Sequence, residues 1–204
     1  MLRRQPPPRA GREVVFLGGV PGAGKTTALR QVPATAGTRV LDPEQVGLAL
    51  RRRVGEGVPY AWLRPVVHTL QYLRVLRHLL LPPAGVERLL VHDTATRPWL
   101  RHLEARLARL FGWRPSLVLV GVTREEALRG QQARGRVLDP GRFDGHWRRW
   151  QRLRRELADG ALADGALVRP PEPWSRVVLV GRDRAVAELT EPARPVVARR
   201  APLR

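Results

Sequence analysis

The sequence of 204 residues contains no cysteine, one methionine and a single lysine. The absence of cysteine excludes a disulfide framework and thiolate metal sites. No stretch approaches the roughly 18 uninterrupted apolar residues of a membrane-spanning helix, and no apolar segment follows the basic start as a secretory signal requires. We therefore expect a cytoplasmic protein without a membrane partner.

The charge is strongly one-sided, with 37 basic against 18 acidic residues and a formal net charge of +19. Every basic residue except Lys25 is arginine. Either a coding bias towards arginine or an anionic partner such as nucleic acid explains this excess. Because such a bias replaces lysine wherever arginine serves equally well, Lys25 is a candidate for a site that cannot use arginine.

Length and composition predict one folded domain between basic ends. The hydrophobic fraction of 43% and the charged fraction of 27% are typical of a globular chain. Residues 1–12 and 191–204 are rich in proline and arginine and lack periodicity, so we predict flexible basic arms around a domain at residues 13–190. Contact of these arms with nucleic acid stays open as an alternative to solvated tails.

Five short apolar runs alternate with longer segments of helical periodicity. Between the runs, apolar residues recur at the three- and four-residue spacing of amphipathic helices. This alternation predicts an α/β fold, a parallel sheet covered by helices on both faces, with functional residues at the carboxyl ends of its strands. The predicted strands cover residues 14–17, 38–41, 88–92, 117–121 and 177–180.

A phosphate-binding motif follows the first predicted strand. The stretch GVPGAGKT matches the pattern G-x-x-x-x-G-K-[ST] and precedes a predicted helix. Its glycines let backbone N–H groups converge on phosphates, and the helix N-terminus adds positive charge. Lys25 would contact the β- and γ-phosphates, and the Thr26 hydroxyl would contact Mg²⁺. The predicted nucleotide-binding residues are Gly19, Gly22, Ala23, Gly24, Lys25, Thr26 and Thr27.

Acidic residues stand at the ends of the next two predicted strands. The Asp42 carboxylate could accept a proton from a substrate hydroxyl, and Glu44 is a second candidate for this base. Asp42 could also cap the following helix, which has Pro43 at its first position, and both roles are compatible. Asp93 is predicted to hold Mg²⁺ through water or to orient substrate, with an N-cap for the helix from Pro98 as the alternative.

Arginines after the fourth predicted strand are candidates for transition-state contacts. Arg134 and Arg136 flank a glycine in the segment QQARGR, which is typical of a mobile lid. Arginines on such a lid can neutralise charge that develops in a transition state. Arg129 and Arg97 are further candidates for substrate contact. The alternative for Arg129, Arg134 and Arg136 is an ordinary solvated surface.

Together, the GVPGAGKTT loop, the acid after strand two, the Asp-x-x-x-Arg end of strand three and the arginine-rich segment resemble a known family. They are similar to the AAA-type P-loop kinases grouped with polynucleotide kinase, and more distantly to the zeta-toxin and chloramphenicol phosphotransferase kinases. The resemblance covers about residues 13–185. It implies a five-stranded sheet in the order 2-3-1-4-5, and transfer of a γ-phosphate from ATP or GTP, with Mg²⁺, to a hydroxyl. By this likeness Asp42 or Glu44 would be the acceptor base, and Arg134 and Arg136 would be lid arginines.

The sequence departs from the polynucleotide kinase pattern near the acceptor. An arginine is expected three residues after the basic aspartate, but Gln45 follows Asp42 and Gly47 follows Glu44 at that spacing. Ala95 stands where the family has asparagine. Three hypotheses therefore stay open. They are a kinase acting on a hydroxyl of a small molecule or nucleic-acid end, a nucleotide-switched ATPase that binds nucleic acid, and a nucleotide-binding scaffold without catalysis.

Overall fold

A β-sheet of seven strands forms the centre of the protein in the computed structural model, which describes residues 11–55, 57–133, 135, 138–158, 162–163, 166–167 and 173–191. The strands are β1 (Glu13–Gly18), β2 (Thr38–Leu41), β3 (Arg88–His92), β4 (Arg114–Gly121), β5 (Leu162–Ala163), β6 (Ala166–Leu167) and β7 (Arg176–Gly181). Their order across the sheet is β2-β3-β1-β4-β7-β6-β5.

The five longer strands are parallel and correspond to the five apolar runs. β1 lies between β3 and β4, and all six of its residues are buried. A strand buried on both faces needs an uninterrupted apolar sequence, and β1 has one from Val14 to Leu17. The arrangement confirms the predicted α/β fold and the order 2-3-1-4-5, with β7 as the fifth parallel strand.

Two very short strands extend the sheet beyond this prediction. β5 and β6 pair antiparallel, and Ala166 of β6 lies opposite Val178 of β7. Strands of two residues are too short for hydrophobic alternation to be recognised, so the sequence carries no signal for them.

Seven α-helices and one 3₁₀ helix surround the sheet in the described residues. The 3₁₀ helix spans Arg182–Arg184 and follows β7 directly. The α-helices are α1 (Lys25–Gln31), α2 (Pro43–Val54), α3 (Tyr60–Leu80), α4 (Pro98–Leu110), α5 (Arg124–Gln132), α6 (Pro140–Ala158) and α7 (Ala185–Thr190). Among the described residues, no helix is both long and apolar enough to cross a lipid bilayer.

Local sequence signals explain several helix boundaries. α5 begins with a complete capping box, in which the Thr123 side chain accepts from the Glu126 amide and the Glu126 carboxylate accepts from the Thr123 amide. α3 ends at Leu80, two residues before Pro82 and Pro83, which lack the backbone N–H groups that would continue the helical hydrogen bonds. Residues 1–10 and 192–204 lie outside the described residues, so the two basic arms stay a prediction.

The parallel arrangement brings the carboxyl ends of β1 and β3 together. The Asp93 amide donates to the Leu17 carbonyl at 3.1 Å, and the Gly19 amide donates to the Thr94 carbonyl at 3.1 Å. Added at Gly18, a Cβ would lie 2.5 Å from the Cβ of Ala95. The loop after β1 and the segment after β3 are therefore in direct contact.

Candidate functional site

The loop between β1 and α1 has a backbone that depends on glycine. Gly19, Gly22 and Gly24 have φ angles of 141°, 89° and 96°. Residues with a side chain rarely adopt these positive φ values, whereas glycine does so without steric cost. Space is restricted as well, because a Cβ on Gly22 would lie 2.0 Å from the carbonyl oxygen of Ala127. The glycines of the motif are thus needed for both conformation and packing.

Lys25 is buried inside this loop. Its Nζ donates to the Gly19 carbonyl at 2.6 Å and to the Val20 carbonyl at 3.0 Å. Only 4% of the residue is exposed. A compact ammonium with three donors fits between two carbonyls, where a planar guanidinium would need far more room. This geometry gives a physical reason why one lysine persists in a chain otherwise basic through arginine.

Thr26, Asp42 and His92 form a hydrogen-bonded group beside Lys25. The Nδ1 atom of His92 lies 3.1 Å from Oδ2 of Asp42 and 3.2 Å from the Thr26 hydroxyl. Because an ionised carboxylate only accepts hydrogen bonds, the network assigns the proton to Nδ1 of His92. Three elements, α1, the end of β2 and the end of β3, supply the three side chains.

The surroundings of this group fix its protonation. Burial raises the pKa of Asp42, but hydrogen bonds from His92, the Glu44 amide and Thr26 outweigh burial and hold the pKa below its ordinary value. Burial and the charge of Lys25 lower the pKa of His92 despite the nearby Asp42 carboxylate. At neutral pH an ionised Asp42 therefore faces a neutral imidazole, and their contact is a hydrogen bond rather than an ion pair.

Asp42 also caps α2, whereas Glu44 is directed elsewhere. Oδ1 of Asp42 accepts from the Glu44 amide at 2.7 Å, and Pro43 occupies the first turn. The cap and the contact with Thr26 coexist, as the sequence allows. The Glu44 carboxylate pairs with Arg30 on α1 at 2.7 Å, and the Arg30 side chain is 66% exposed. The structure thus brings Asp42, and not Glu44, next to Thr26.

Asp93 lies at the end of β3, where the chain takes an unusual conformation. Its Oδ2 accepts from the Ala95 amide at 2.8 Å, and Ala95 has a positive φ of 54°. The residue that caps α4 is Arg97, without a side-chain hydrogen bond to the helix. The alternative in which Asp93 caps α4 is therefore wrong, because the chain turns at Ala95 before the helix begins. Asp93 instead is buried next to His92.

A side chain of α6 contacts the segment after β3. The Thr96 hydroxyl lies 3.4 Å from Nδ1 of His146 on α6. Burial and the charges of Arg149, Lys25, Arg64 and Arg97 lower the pKa of His146 to about 4. His146 is thus a neutral imidazole that lies within the electrostatic reach of the phosphate-binding lysine.

Glu104 on α4 has a buried carboxyl group. Burial and the Asp93 carboxylate raise the pKa of Glu104 well above its ordinary value, although the charge of Arg101 opposes them. Burial and the same two carboxyl groups also raise the pKa of Tyr72 on α3. Arg101 is almost fully buried and donates to the Ala95 carbonyl at 2.9 Å. This contact supports the unusual turn after Asp93.

A cavity of about 380 Å³ opens on the other side of the loop. The Arg182 guanidinium donates to the Gly22 carbonyl at 3.2 Å and so connects the segment after β7 to the loop. The residues that line the cavity include Gly24, Thr27, Gln31, Arg182, Asp183 and Val186. A larger cavity of about 620 Å³ lies between the N-terminus of α5, α6 and the ends of β4 and β7, and no residue of the loop lines it.

The four predicted arginines are either exposed or outside the described residues. Arg134 and Arg136 lie outside the described residues, so their lid role stays a prediction. Arg129 is exposed on α5, where its charge acts on Glu126 at the start of that helix. Arg97 is exposed, and its charge acts on His68 and Tyr72 of α3 and on His146 of α6.

Sequence reasoning missed four residues of this region: His92, His146, Arg149 and Arg182. The position of His92 immediately before Asp93 was a usable signal, because both end the same strand. His146 and Arg149 carried a weaker signal, since a three-residue spacing on a helix brings two side chains to one face. Arg182 had none, because its contact with the loop spans 160 positions of sequence.

Comparison with known proteins agrees with this geometry. The profile of a family described as an AAA domain matches residues 14–160. A comparison with curated protein sequences finds no match.

Solved structures with low sequence identity share the fold. A chain of the PezAT toxin–antitoxin system of Streptococcus pneumoniae matches with a TM-score of 0.55 and 19% identity over 89% of this chain and 72% of that chain. Kti12 of Chaetomium thermophilum, solved with ADP-AlF3, matches with a TM-score of 0.51 and 14% identity over 86% of this chain and 96% of that one. A Chloroflexus aurantiacus protein, provisionally assigned as a kinase, matches with a TM-score of 0.50 and 16% identity over 87% of each chain.

These structural likenesses extend over most of the chain but establish the fold alone. The family match covers more than half of the sequence, including the phosphate-binding loop and both acidic strand ends. The chain therefore belongs to the AAA domain family and has the nucleotide-binding P-loop fold shared with P-loop kinases.

Proposed function

We propose that this protein is a kinase that transfers the γ-phosphate of ATP to a hydroxyl group of an acceptor molecule. The observation that carries the proposal is the buried contact of Asp42 with Thr26 of the phosphate-binding loop, together with His92. This contact brings an ionised carboxylate beside the loop that binds the phosphates, where a base for the acceptor would be needed.

The nucleotide would lie across the phosphate-binding loop, at the carboxyl ends of the parallel strands. The 380 Å³ cavity next to Gly24 and Arg182 suits the base and sugar, and Lys25 suits the β- and γ-phosphates. On binding, the ammonium of Lys25 would exchange its two loop carbonyls for phosphate oxygens. GTP is the alternative donor, and competition between the two nucleotides distinguishes them.

The residues present fit a Mg²⁺ ion bound together with the nucleotide. The Thr26 hydroxyl and the buried Asp93 carboxylate are oxygen donors of the kind that Mg²⁺ prefers, one on each of two adjacent segments. Within the described residues, no group of three His, Asp or Glu side chains is placed to hold a metal on its own. Nucleotide oxygens and water would therefore complete the shell. Mg²⁺ supplies charge neutralisation at the phosphates.

Asp42 would act on the acceptor hydroxyl. A carboxylate has about four lone-pair sites, and contacts with Glu44, His92 and Thr26 use three of them. The remaining site can accept the hydrogen bond of the acceptor. As the new bond between the acceptor oxygen and the γ-phosphorus forms, the bond to ADP breaks and the hydroxyl proton passes to Asp42. Arg134 and Arg136 are proposed to neutralise the charge on the transferring group.

The experiment is a phosphorylation screen with the purified full chain, ATP and Mg²⁺, over a panel of hydroxyl compounds. We expect ATP-dependent product with at least one acceptor and none with the Lys25→Ala variant. ATP hydrolysis that no acceptor stimulates would count against a kinase. Circular dichroism of the variant checks that its fold is intact.

The net charge of +19 favours a second candidate, a nucleotide-switched ATPase that binds nucleic acid. Arg51, Arg52 and Arg53 are exposed together in the last turn of α2 and would contribute to such a surface. Binding through phosphate contacts falls steeply with salt, because counterions are released. Retention of RNA or DNA at physiological salt that depends on nucleotide would favour this candidate, and negligible retention would exclude it.

A further inference from the structure

The positions of the nucleotide cavity and of the acidic strand ends indicate the side from which an acceptor would enter. In an in-line transfer, the acceptor approaches the γ-phosphorus from the side opposite the leaving ADP. The cavity assigned to the base lies towards β7, whereas Asp42 and Asp93 end β2 and β3 on the other side of β1. If the proposed kinase function holds, the acceptor enters from the β3 side.

Three arginines belong to elements that contact or adjoin the segment after β3, or act electrostatically on groups there. Arg64 lies on α3, Arg97 is the N-cap residue before α4, and Arg149 lies on α6, three residues after His146. The hydrogen bond of Thr96 to His146 joins the segment after β3 to α6. The charges of all three guanidinium groups lower the pKa of His146. We call Arg64, Arg97 and Arg149 the acceptor-side arginines.

The acceptor-side arginines have no carboxylate partner in the part of the chain that the structure describes. Among the described residues, none of the three forms an ion pair, and the buried Nε of Arg149 has no hydrogen-bond partner. A buried donor without a partner is costly, and native proteins retain such groups mainly where a ligand or water completes them. The arginines that do pair with described carboxylates include Arg30, Arg88, Arg124 and Arg176.

The charge balance of the region is positive at neutral pH. Burial, Arg64 and Arg97 are among the causes that lower the pKa of His68, and His146 is neutral for similar reasons. The raised pKa of Glu104 disfavours a negative charge on that side chain. The region thus has two carboxylates, Asp42 and Asp93, and four cationic side chains, Lys25 and the three acceptor-side arginines. Because Lys25 serves the nucleotide, an excess of positive charge remains for the other substrate.

We propose that the acceptor-side arginines form an anion-binding subsite, and that the phosphate acceptor is an alcohol that also carries a phosphate or carboxylate group. This inference rests on the proposed kinase function and deepens it. Guanidinium groups bind the oxygens of both anions through paired hydrogen bonds, whereas the neutral imidazoles of His68 and His146 can position the hydroxyl. Neutral alcohols and amino alcohols would leave the arginines unpaired.

The test compares matched acceptors that differ only in the anionic group. Pairs such as a nucleoside and its monophosphate, a sugar and its phosphate, and a hydroxy acid and its amide are assayed with the wild-type chain and with Arg64→Gln and Arg149→Gln. Arg148→Gln is the control, since Arg148 is the exposed neighbour of Arg149 on the same helix. Binding of each compound is also measured calorimetrically in the presence of a non-hydrolysable ATP analogue.

We expect the anionic member of a pair to have the lower KM and Kd. Each glutamine variant should raise both by about tenfold or more, the scale of one charge-assisted contact, with kcat and the KM for ATP nearly unchanged. Arg148→Gln should behave as wild type. Phosphate pairs against carboxylate pairs identify which anion the site takes.

Three results would overturn the inference. They are equal or tighter binding of the neutral members, a response of Arg149→Gln no larger than that of Arg148→Gln, and a loss of ATP affinity instead of acceptor affinity. The calorimetric measurement separates this inference from the kinase function. Binding that prefers anions and depends on the arginines, without any phosphate transfer, would reject the kinase function and retain the anion subsite.

Discussion

Gly130 of α5 lies against Gly22 of the phosphate-binding loop without room for a side chain between them. Added at Gly130, a Cβ would lie 2.2 Å from the carbonyl oxygen of Gly22. The next residue, Gln131, is buried; its Nε2 donates to the Pro21 carbonyl at 3.5 Å, and its Oε1 accepts from the Leu138 amide at 3.0 Å. One turn of α5 thus connects the loop to the segment that contains the predicted lid arginines.

Substitution of Gly130 by alanine should therefore damage nucleotide binding. Alanine favours a helix over glycine by about 1 kcal/mol, but the clash with Gly22 must displace the loop. We expect nucleotide affinity to fall by about tenfold or more, a cost of about 1.4 kcal/mol. Gly145→Ala in α6 is the control, because its Cβ would meet only the Arg149 guanidinium at 3.7 Å. Equal affinity of the two variants would contradict the packing argument.

Lys25 should tolerate no other cation. Lys25→Ala removes the charged contacts with phosphate, each worth about 1.5–3 kcal/mol, so nucleotide affinity should fall at least about tenfold. Lys25→Arg should lose a similar amount, because the guanidinium does not fit between the Gly19 and Val20 carbonyls. Fluorescent-nucleotide titration measures both variants. Arg53→Lys in the exposed last turn of α2 is the reverse control and should bind as wild type.

Asp42 and Glu44 should differ sharply as candidate bases. Asparagine is a good N-cap, so Asp42→Asn keeps the start of α2 while removing the proton acceptor. Once an acceptor is identified, the kcat of Asp42→Asn should be lower than that of wild type by about 10²–10⁴, while nucleotide affinity changes little. Glu44→Gln removes a partly exposed ion pair with Arg30, worth about 1 kcal/mol at most, and should retain its activity. The reverse ranking would assign the base to Glu44.

Glu104 should make stability depend on pH. Because its pKa is raised in the folded protein, the folded state holds a proton that the unfolded chain releases above the ordinary value of 4.5. Stability is therefore lost as pH rises from that value. Glu104→Gln removes this loss, so its midpoint of urea unfolding should exceed that of wild type at neutral pH and approach it near 4.5.

The exposed Glu87→Gln variant serves as the control for this pH series and should show no such trend. A Glu104→Gln variant that is less stable than wild type at every pH would instead indicate an ionised Glu104 paired with Arg101. The two outcomes differ in sign at neutral pH, so one pair of unfolding curves distinguishes them.

The sequence predicted the parts of the fold that depend on local patterns. The apolar runs defined β2 and β3 to the residue, and the glycine spacing located the loop before Lys25. The capping box at Thr123 likewise depends on two hydrogen bonds that join residues three positions apart. In each case the determining interactions lie within one element or one turn.

The acceptor side depends on contacts between distant segments and was harder to predict. His146 contacts Thr96 although the two residues are 50 positions apart in the sequence. Ala95 has a positive φ that the neighbouring sequence does not predict. Periodicity predicts where the apolar residues of α6 point, but not which of its arginines lie near another helix. Arg149 is distinguished from Arg148 only by the fold around it.

The burial of Lys25 also has a practical consequence for chemical labelling. The sequence offers acylating reagents one ε-amino group, and in the folded protein the Gly19 and Val20 carbonyls cover it. Modification at that amine therefore reports a single event, the opening of the loop. Mass spectrometry of one peptide would then follow that opening without an engineered reporter.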